Sequence, residues 1–289
     1  MFGLGWLAGC SPPAEGVAKV SATPAQDAEV SFVSEGNTVT GTLHFAEGAG
    51  PHPTVLFLSG FPGWPESPDF LEPVRDAGYN VLFFPYRGTW GSDGLFSAEN
   101  ALADAEAALA FLRSPEAESE YHVDAEAIVP YGTSFGGWVA LNLAAEKPRI
   151  DCVAAHVVAN IGRMARQWQA DDAYRDAWRQ NFEQMSAELP IRLEGGAGAF
   201  MATLMERADE YDVVSALPAL RGRTVILFGA EQDEVAPMDA HYLPIADGLA
   251  GGNTGDVTLM TAPGGHQDVQ PSWDAELLSW LREDCIGGR

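Results

Sequence analysis

Residues 132–136 read Gly-Thr-Ser-Phe-Gly, which sets Ser134 between two glycines, just after the apolar run Ala127-Ile128-Val129 and just before a helix-forming run. A serine hydroxyl is a weak nucleophile. It attacks a carbonyl only when a base takes its proton and a third group orients that base. Between a buried strand and a helix, this pattern predicts a sharp turn in which the serine takes a strained, positive-φ pose. The glycines leave room for neighbouring backbone, and the hydroxyl stands clear of the sheet at a helix N-terminus. The spacing points to nucleophilic catalysis.

The base and its acid must come from elsewhere. Of six histidines, His266 lies in a Gly264-Gly265 loop between the last strand-like run and the final helix. The others precede the serine (His44, His52, His122), fall inside a strand (His156) or lie in a helix-like stretch (His241). Asp233 follows the buried run 224–230, with Glu231, Glu234 and Asp268 as competing carboxylates. An oxyanion needs two backbone N–H donors. Phe135 would supply one, and Phe61, in Ser59-Gly60-Phe61-Pro62-Gly63, the other. Trp64, beside that loop, is the candidate for substrate binding.

These residues need a scaffold, and the hydropathy pattern supplies one. Two alternating strands joined at Glu35-Gly36-Asn37 open the regular part of the chain. Solid apolar runs at 53–60, 79–85, 127–131, 152–160, 224–230 and 256–262 read as strands buried on both faces. Between them lie helices expected at 67–78, with Ser67 as N-cap and Pro68 at its first position, and at 97–114, 135–146 and 272–283. The alternation predicts an α/β fold, a mostly parallel eight-stranded sheet with helices on both faces. Residues 161–212 are too long for a connector and well patterned for helix, so they read as a helical cap. Its Trp168, Trp178, Phe182, Met185, Phe200, Met201 and Met205 are expected to pack the cap, some of them also lining an entrance.

Composition excludes several functions. The chain of 289 residues carries 41 acidic and 16 basic side chains, a formal charge of −25. Such a surface repels nucleic acid, and no nucleic-acid partner is expected. Cys10, Cys152 and Cys285 form no CxxC and no Cys/His cluster at ligand spacing, so neither metal nor cofactor is expected. Whether Cys152 and Cys285 pair is left open by the sequence.

Together these motifs resemble the α/β-hydrolase superfamily over residues 28–289. The order serine, acid, histidine is that of the superfamily, and the resemblance implies nucleophile, acid and base roles for Ser134, Asp233 and His266. Phe84-Pro85-Tyr86-Arg87-Gly88, followed by the helix bearing Asp104, is similar to the branch of prolyl-oligopeptidase-type hydrolases and dienelactone-hydrolase-like esterases. Ser134 stands where dienelactone hydrolases carry cysteine. Two departures from the oligopeptidases favour an esterase: the 27 residues before the domain are too few for their N-terminal β-propeller, and Phe61 stands where they carry a tyrosine hydroxyl. Arg87 and Asp104 are expected to form a structural ion pair. The resemblance implies a serine hydrolase acting on small-molecule carboxylic esters through an acyl-enzyme. The alternatives are an aminopeptidase, an acyl-peptide hydrolase or an acyltransferase, and more remotely a non-catalytic binding protein.

Residues 1–27 are expected to lie outside the domain. Leu7-Ala8-Gly9-Cys10 resembles the lipobox of bacterial lipoproteins, followed by a Pro/Ala/Ser-rich tether. This implies a lipid anchor at Cys10 and a periplasmic or outer-membrane-anchored protein, with a cytoplasmic protein as the alternative.

Overall fold

The computed structural model describes residues 25–252, 255–268 and 270–287. Its centre is one eight-stranded sheet built from β1 (Gln26–Ser34), β2 (Asn37–Phe45), β3 (His52–Leu58), β4 (Asn80–Phe83), β5 (Val123–Thr133), β6 (Cys152–His156), β7 (Thr224–Ala230) and β8 (Val257–Ala262). Their order is β1-β2-β4-β3-β5-β6-β7-β8. β1/β2 and β2/β4 pair antiparallel; every pairing from β4 to β8 is parallel. The expected architecture is therefore present. In a parallel sheet all strands end at the same edge, so the loops after β3, β5, β7 and β8 share one side of the molecule.

Helices cover both faces. They are α1 (Glu72–Asp76), α2 (Ala98–Leu112), α3 (Pro115–Tyr121), α4 (Phe135–Glu146), α5 (Ile161–Ala170), α6 (Asp172–Glu188), α7 (Gly196–Glu206), α8 (Tyr242–Gly252) and α9 (Gln270–Trp280). One apolar layer lies against α2 and α4 and runs on into α5–α7. The other packs α1 and α9 on the opposite face of β3–β7. The extended apolar run read from sequence at β5 is buried continuously from Ala127 to Thr133.

Several boundaries differ from expectation, each for a local reason. The helix expected at 67–78 is a 3-10 turn at Asp69–Leu71 followed by α1, and Pro68 sits outside it in an extended conformation. Pro73 explains the break: it has no N–H to donate to the Asp69 carbonyl, and its ring fits only the first turn of a new helix. The helix expected at 97–114 ends at Leu112. Ser114 then caps α3, its hydroxyl accepting from Ala117 N–H at 3.1 Å. β6 stops at His156, because Val157 adopts φ +44. β1 begins at Gln26, two residues inside the stretch expected to be tether. The lipobox and Cys10 lie outside the described residues.

Pro130, unexpected in a central strand, pairs with Leu56 of β3 one residue before pairing with β6 begins at Tyr131. At that point β5 has a ladder partner on one side only, so the missing N–H is tolerated. Cys152, opening β6, and Cys285, beyond α9, are joined by a disulfide, settling the question that the sequence leaves open.

Two polar clamps fix the irregular segments. Arg87 and Asp104 form the expected ion pair, with Arg87 Nε 2.7 Å from Asp104 Oδ1 and Arg87 N–H donating to Oδ2 at 2.8 Å. Arg87 Nη2 donates to Ser34 Oγ, and Nη1 pairs with Glu35. The pair is 2% and 0% exposed, and burial raises the Asp104 pKa against the pull of the guanidinium. The second clamp closes the base of the cap. Asn160 Nδ2 donates to Asp212 Oδ1 at 2.7 Å, and Arg163 and Arg166 reach Oδ2. The cap thus leaves and re-enters the domain at one hydrogen-bonded knot.

Arg87→Met should strand a carboxylate at a fully buried position and cost about 3–5 kcal/mol. Urea unfolding of Arg87→Met against wild type measures it; a loss below about 1 kcal/mol would show that Asp104 is not held charged by Arg87.

Candidate active site

The turn between β5 and α4 has the predicted strain. Ser134 sits at φ +54, ψ −120, a conformation that L-residues avoid, and it occupies the N-cap of α4. Backbone bonds hold it there. Its N–H donates to the His156 carbonyl at 2.8 Å, and its own carbonyl accepts from Gly137 and Ala159. The flanking glycines are required by contact. A Cβ on Gly132 would overlap the Gly136 carbonyl, and one on Gly136 would overlap the Leu58 carbonyl of β3.

His266, after β8, brings Nε2 to 2.9 Å from Ser134 Oγ. Its other nitrogen, Nδ1, lies 2.7 Å from Asp233 Oδ2, in the loop after β7. With Asp233 ionised, Nδ1 carries the proton and donates to it, which leaves Nε2 free to accept from the serine hydroxyl. Asp233 Oδ1 is fixed by the backbone N–H groups of Val235 and Ala236, at 2.9 and 2.7 Å. Burial pushes the Asp233 pKa up, yet the hydrogen bonds from His266, Ala236 and Val235 outweigh it and hold the carboxyl below its ordinary range. The competing carboxylates take other partners. Glu231 accepts from Thr261 Oγ1, and Asp268 from Gly265 N–H, while Glu234 lies beside Gly265.

Ser134 stands at the meeting of two cavities. A cleft of about 560 Å³ opens on the side of His266, walled by Trp64, Phe70 and Trp178 and by the backbone of Gly60–Gly63. A recess of about 70 Å³ lies on the other side, lined by Phe96, Phe135, Trp168, Phe182 and Phe200. The structure therefore brings together Ser134, Asp233, His266, Phe61 and Trp64. Phe135 N–H opens α4, where amides have no acceptor within the helix. Arg87 and Asp104 line neither cavity, in keeping with a bracing role. Of the cap residues, Trp178 and Met185 reach the cleft, and Trp168, Trp178, Phe182 and Phe200 the recess. Met201 and Met205 reach neither and belong to the packing of the cap.

Asn181 and His156 are among the cleft residues that sequence reasoning passed over. Asn181 comes from the cap, with no local signal to mark it. His156, set aside as a strand residue, ends β6 at the carboxyl edge of the sheet, and that position was the available clue. Among the described residues no group of acidic, histidine or cysteine side chains could hold a metal ion.

Burial pushes the His156 pKa down to about 3 and that of His241 down to about 4, from an ordinary 6.5. Asp233, near both rings, pulls the other way without reversing either shift. Between the lowered and ordinary values the unfolded chain binds protons that the native chain refuses, so stability falls as pH drops below about 6.5. Each histidine contributes up to about 1.4 kcal/mol per pH unit. The depressed Asp233 adds stability above the ordinary carboxylate pKa, and this is lost only as pH falls through its lower folded value. Urea midpoints should therefore decline from pH 7 to pH 5, and a flat profile would contradict neutral burial of both rings.

Comparison with known proteins agrees with this architecture. The model of the alpha/beta hydrolase family matches residues 55–278. An uncharacterised 31.7 kDa protein of Escherichia coli is 25% identical over 156 residues, which are 53% of this chain and 53% of that one. This chain thus matches about half the length of that curated relative. Among solved structures, an alpha/beta hydrolase of Penicillium sp. sh18 superposes with a TM-score of 0.65 at 19% identity, over 91% of this chain and 99% of that one. An esterase of Pyrococcus furiosus gives 0.63 at 17%, over 90% and 94%. An acylaminoacyl peptidase of Pyrococcus horikoshii gives 0.65 at 12%, over 91% of this chain but 42% of the other. At these identities the structural likeness is one of fold.

Proposed function

The chain belongs to the alpha/beta hydrolase family, and we propose that it is a serine hydrolase that cleaves carboxylic esters through an acyl-enzyme. One observation carries this reading: the unbroken chain of hydrogen bonds from Asp233 through His266 to the strained Ser134, at the lip of a cleft. In the first half-reaction the Ser134 hydroxyl proton passes to His266 Nε2 as Oγ bonds to the ester carbon. The carbonyl electrons move to oxygen, where the N–H groups of Phe61 and Phe135 would stabilise the charge. When the carbonyl re-forms, the C–O bond to the alcohol breaks and His266 returns the proton to the departing oxygen. Water, deprotonated by the same imidazole, then releases the acid and restores Ser134.

His266 also assigns the two cavities. The imidazole must reach the leaving oxygen, and it lines the large cleft but not the small recess. The alcohol portion therefore lies in the cleft and the acyl chain in the recess. A recess of about 70 Å³ lined by Phe182, Phe200 and Trp168 favours short acyl groups.

A fluorophosphonate probe should label the wild-type protein and leave Ser134→Ala unlabelled. In a series of p-nitrophenyl esters kcat/KM should peak at acetate to butyrate and drop at least tenfold by octanoate. A folded wild type that takes no label would refute the nucleophile. Cleavage of aminoacyl anilides with no ester cleavage would turn the reading towards peptidase chemistry.

The disulfide supports an exported location, since such bonds persist in oxidising compartments. Protein recovered from its native host and alkylated without reduction should show no label on Cys152 or Cys285 by mass spectrometry. Full alkylation of both would favour the cytoplasm.

A further inference from the structure

His156 is in an unusual position for a polar side chain. It is 3% exposed, and neither ring nitrogen has a hydrogen-bond partner. Its ring lies flat on Trp273, with centroids 5.1 Å apart and planes 10° from parallel, and Phe228 packs against it at 5.2 Å. Yet the residue belongs to the wall of the cleft, beside Ser134, Val157 and His266. Trp273 covers one face of the ring and Phe228 packs against it, both nitrogens are shielded from solvent, and the cleft is the space that borders the residue. Burying a polar group without a partner costs free energy that a phenylalanine at this stack would avoid. Buried polar atoms are satisfied in the great majority of cases, so an orphan beside a reactive serine points to a partner that arrives with the substrate.

The rest of the cleft indicates what that partner is. No Asp, Glu, Lys or Arg is among its lining residues, although the chain as a whole carries −25. Its polar side chains besides Ser134 and the histidines are Thr133, Asn181 and Gln267, all uncharged, and its apolar wall sets four aromatic side chains among proline, valine and methionine. Such a surface accepts a neutral, flat or apolar alcohol and disfavours a charged one, which would be desolvated without a counter-ion.

We propose that His156 is a substrate-binding residue of the cleft, hydrogen-bonding an uncharged hydroxyl or carbonyl oxygen carried by an aromatic alcohol portion of the ester. The neutral imidazole donates from one nitrogen and can accept at the other, so a hydroxyl satisfies it in either sense. Because the His156 imidazole has no hydrogen bond to the side chain of His266 or Ser134, its contribution falls on recognition of the leaving group and not on proton transfer. This inference rests on the serine hydrolase reading and on the placing of the alcohol in the cleft.

The test compares phenyl acetate with its 3-hydroxymethyl derivative, so that the acyl group is constant. Wild type should prefer the hydroxylated ester by about tenfold in kcat/KM, the effect of one buried hydrogen bond. The preference should reside mainly in KM. In His156→Phe, which keeps the ring stack, it should fall to near unity. His156→Asn should restore part of it. Retention of the full preference in His156→Phe, or equal rates on both esters in wild type, would overturn the proposal. A second measurement needs no change at position 156. In Ser134→Ala protein, the imidazole ¹⁵N signals of His156 should shift on titration with 3-hydroxymethylphenol and not with phenol, and unmoved signals would also overturn it. Failure of the parent reading is distinguishable, because wild type would then take no fluorophosphonate label and cleave neither ester.

Discussion

The site depends on one unfavourable backbone conformation. Ser134 at φ +54 would relax if it could, and the surroundings prevent it. Its N–H is tied to the end of β6, its carbonyl to Gly137 and Ala159, and the glycines on either side lie against the backbone of α4 and β3 with no space for a methyl group. The strain is sustained because three elements over-determine it. In return the hydroxyl projects from the sheet edge at the start of a helix, where loops from two other strands can reach it.

The two sides of the serine are held in different ways. Beneath the serine, the sheet is bolted by a disulfide between β6 and the chain beyond α9, and by the aromatic layer of Phe57, Tyr131, Phe228 and Trp273. Above it, Phe61, Phe96, Phe182 and Phe200 meet ring to ring where the loop after β3, the loop after β4 and the cap converge. The Arg87–Asp104 pair, remote from the chemistry, holds the segment that presents Phe96. A salt bridge of this kind adds little net stability, but removing one member leaves a charge with nowhere to go. It therefore sets which arrangement of the loop is allowed.

Charge is distributed with a similar division. The acidic surplus stays on the surface, while the large cleft is free of Asp, Glu, Lys and Arg. Asp233 is the buried acid of the site, and its two oxygens are taken by His266 and by backbone amides. Such a carboxylate holds the imidazole in one tautomer without competing for the substrate.

The Arg87–Asp104 pair was expected only from the family resemblance; the chain order of strands, the turn at Ser134 and the loops bearing Asp233 and His266 were legible in the sequence. Each is written in a short stretch: an apolar run marks a doubly buried strand, and a serine between two glycines marks a tight reversal. The break of the helix at Pro73 was equally local and could have been read. Other features had no local signature. The pairing of Cys152 with Cys285, the entry of Asn181 and the place of His156 in the cleft wall depend on which strands lie side by side and on how the cap packs across them. That order is set by crossover connections and packing over the whole chain, and no window of residues contains it. Sequence alone determined the chemical groups and the turns that carry them; the tertiary structure decided which of them meet, because distance across a sheet is not distance along a chain.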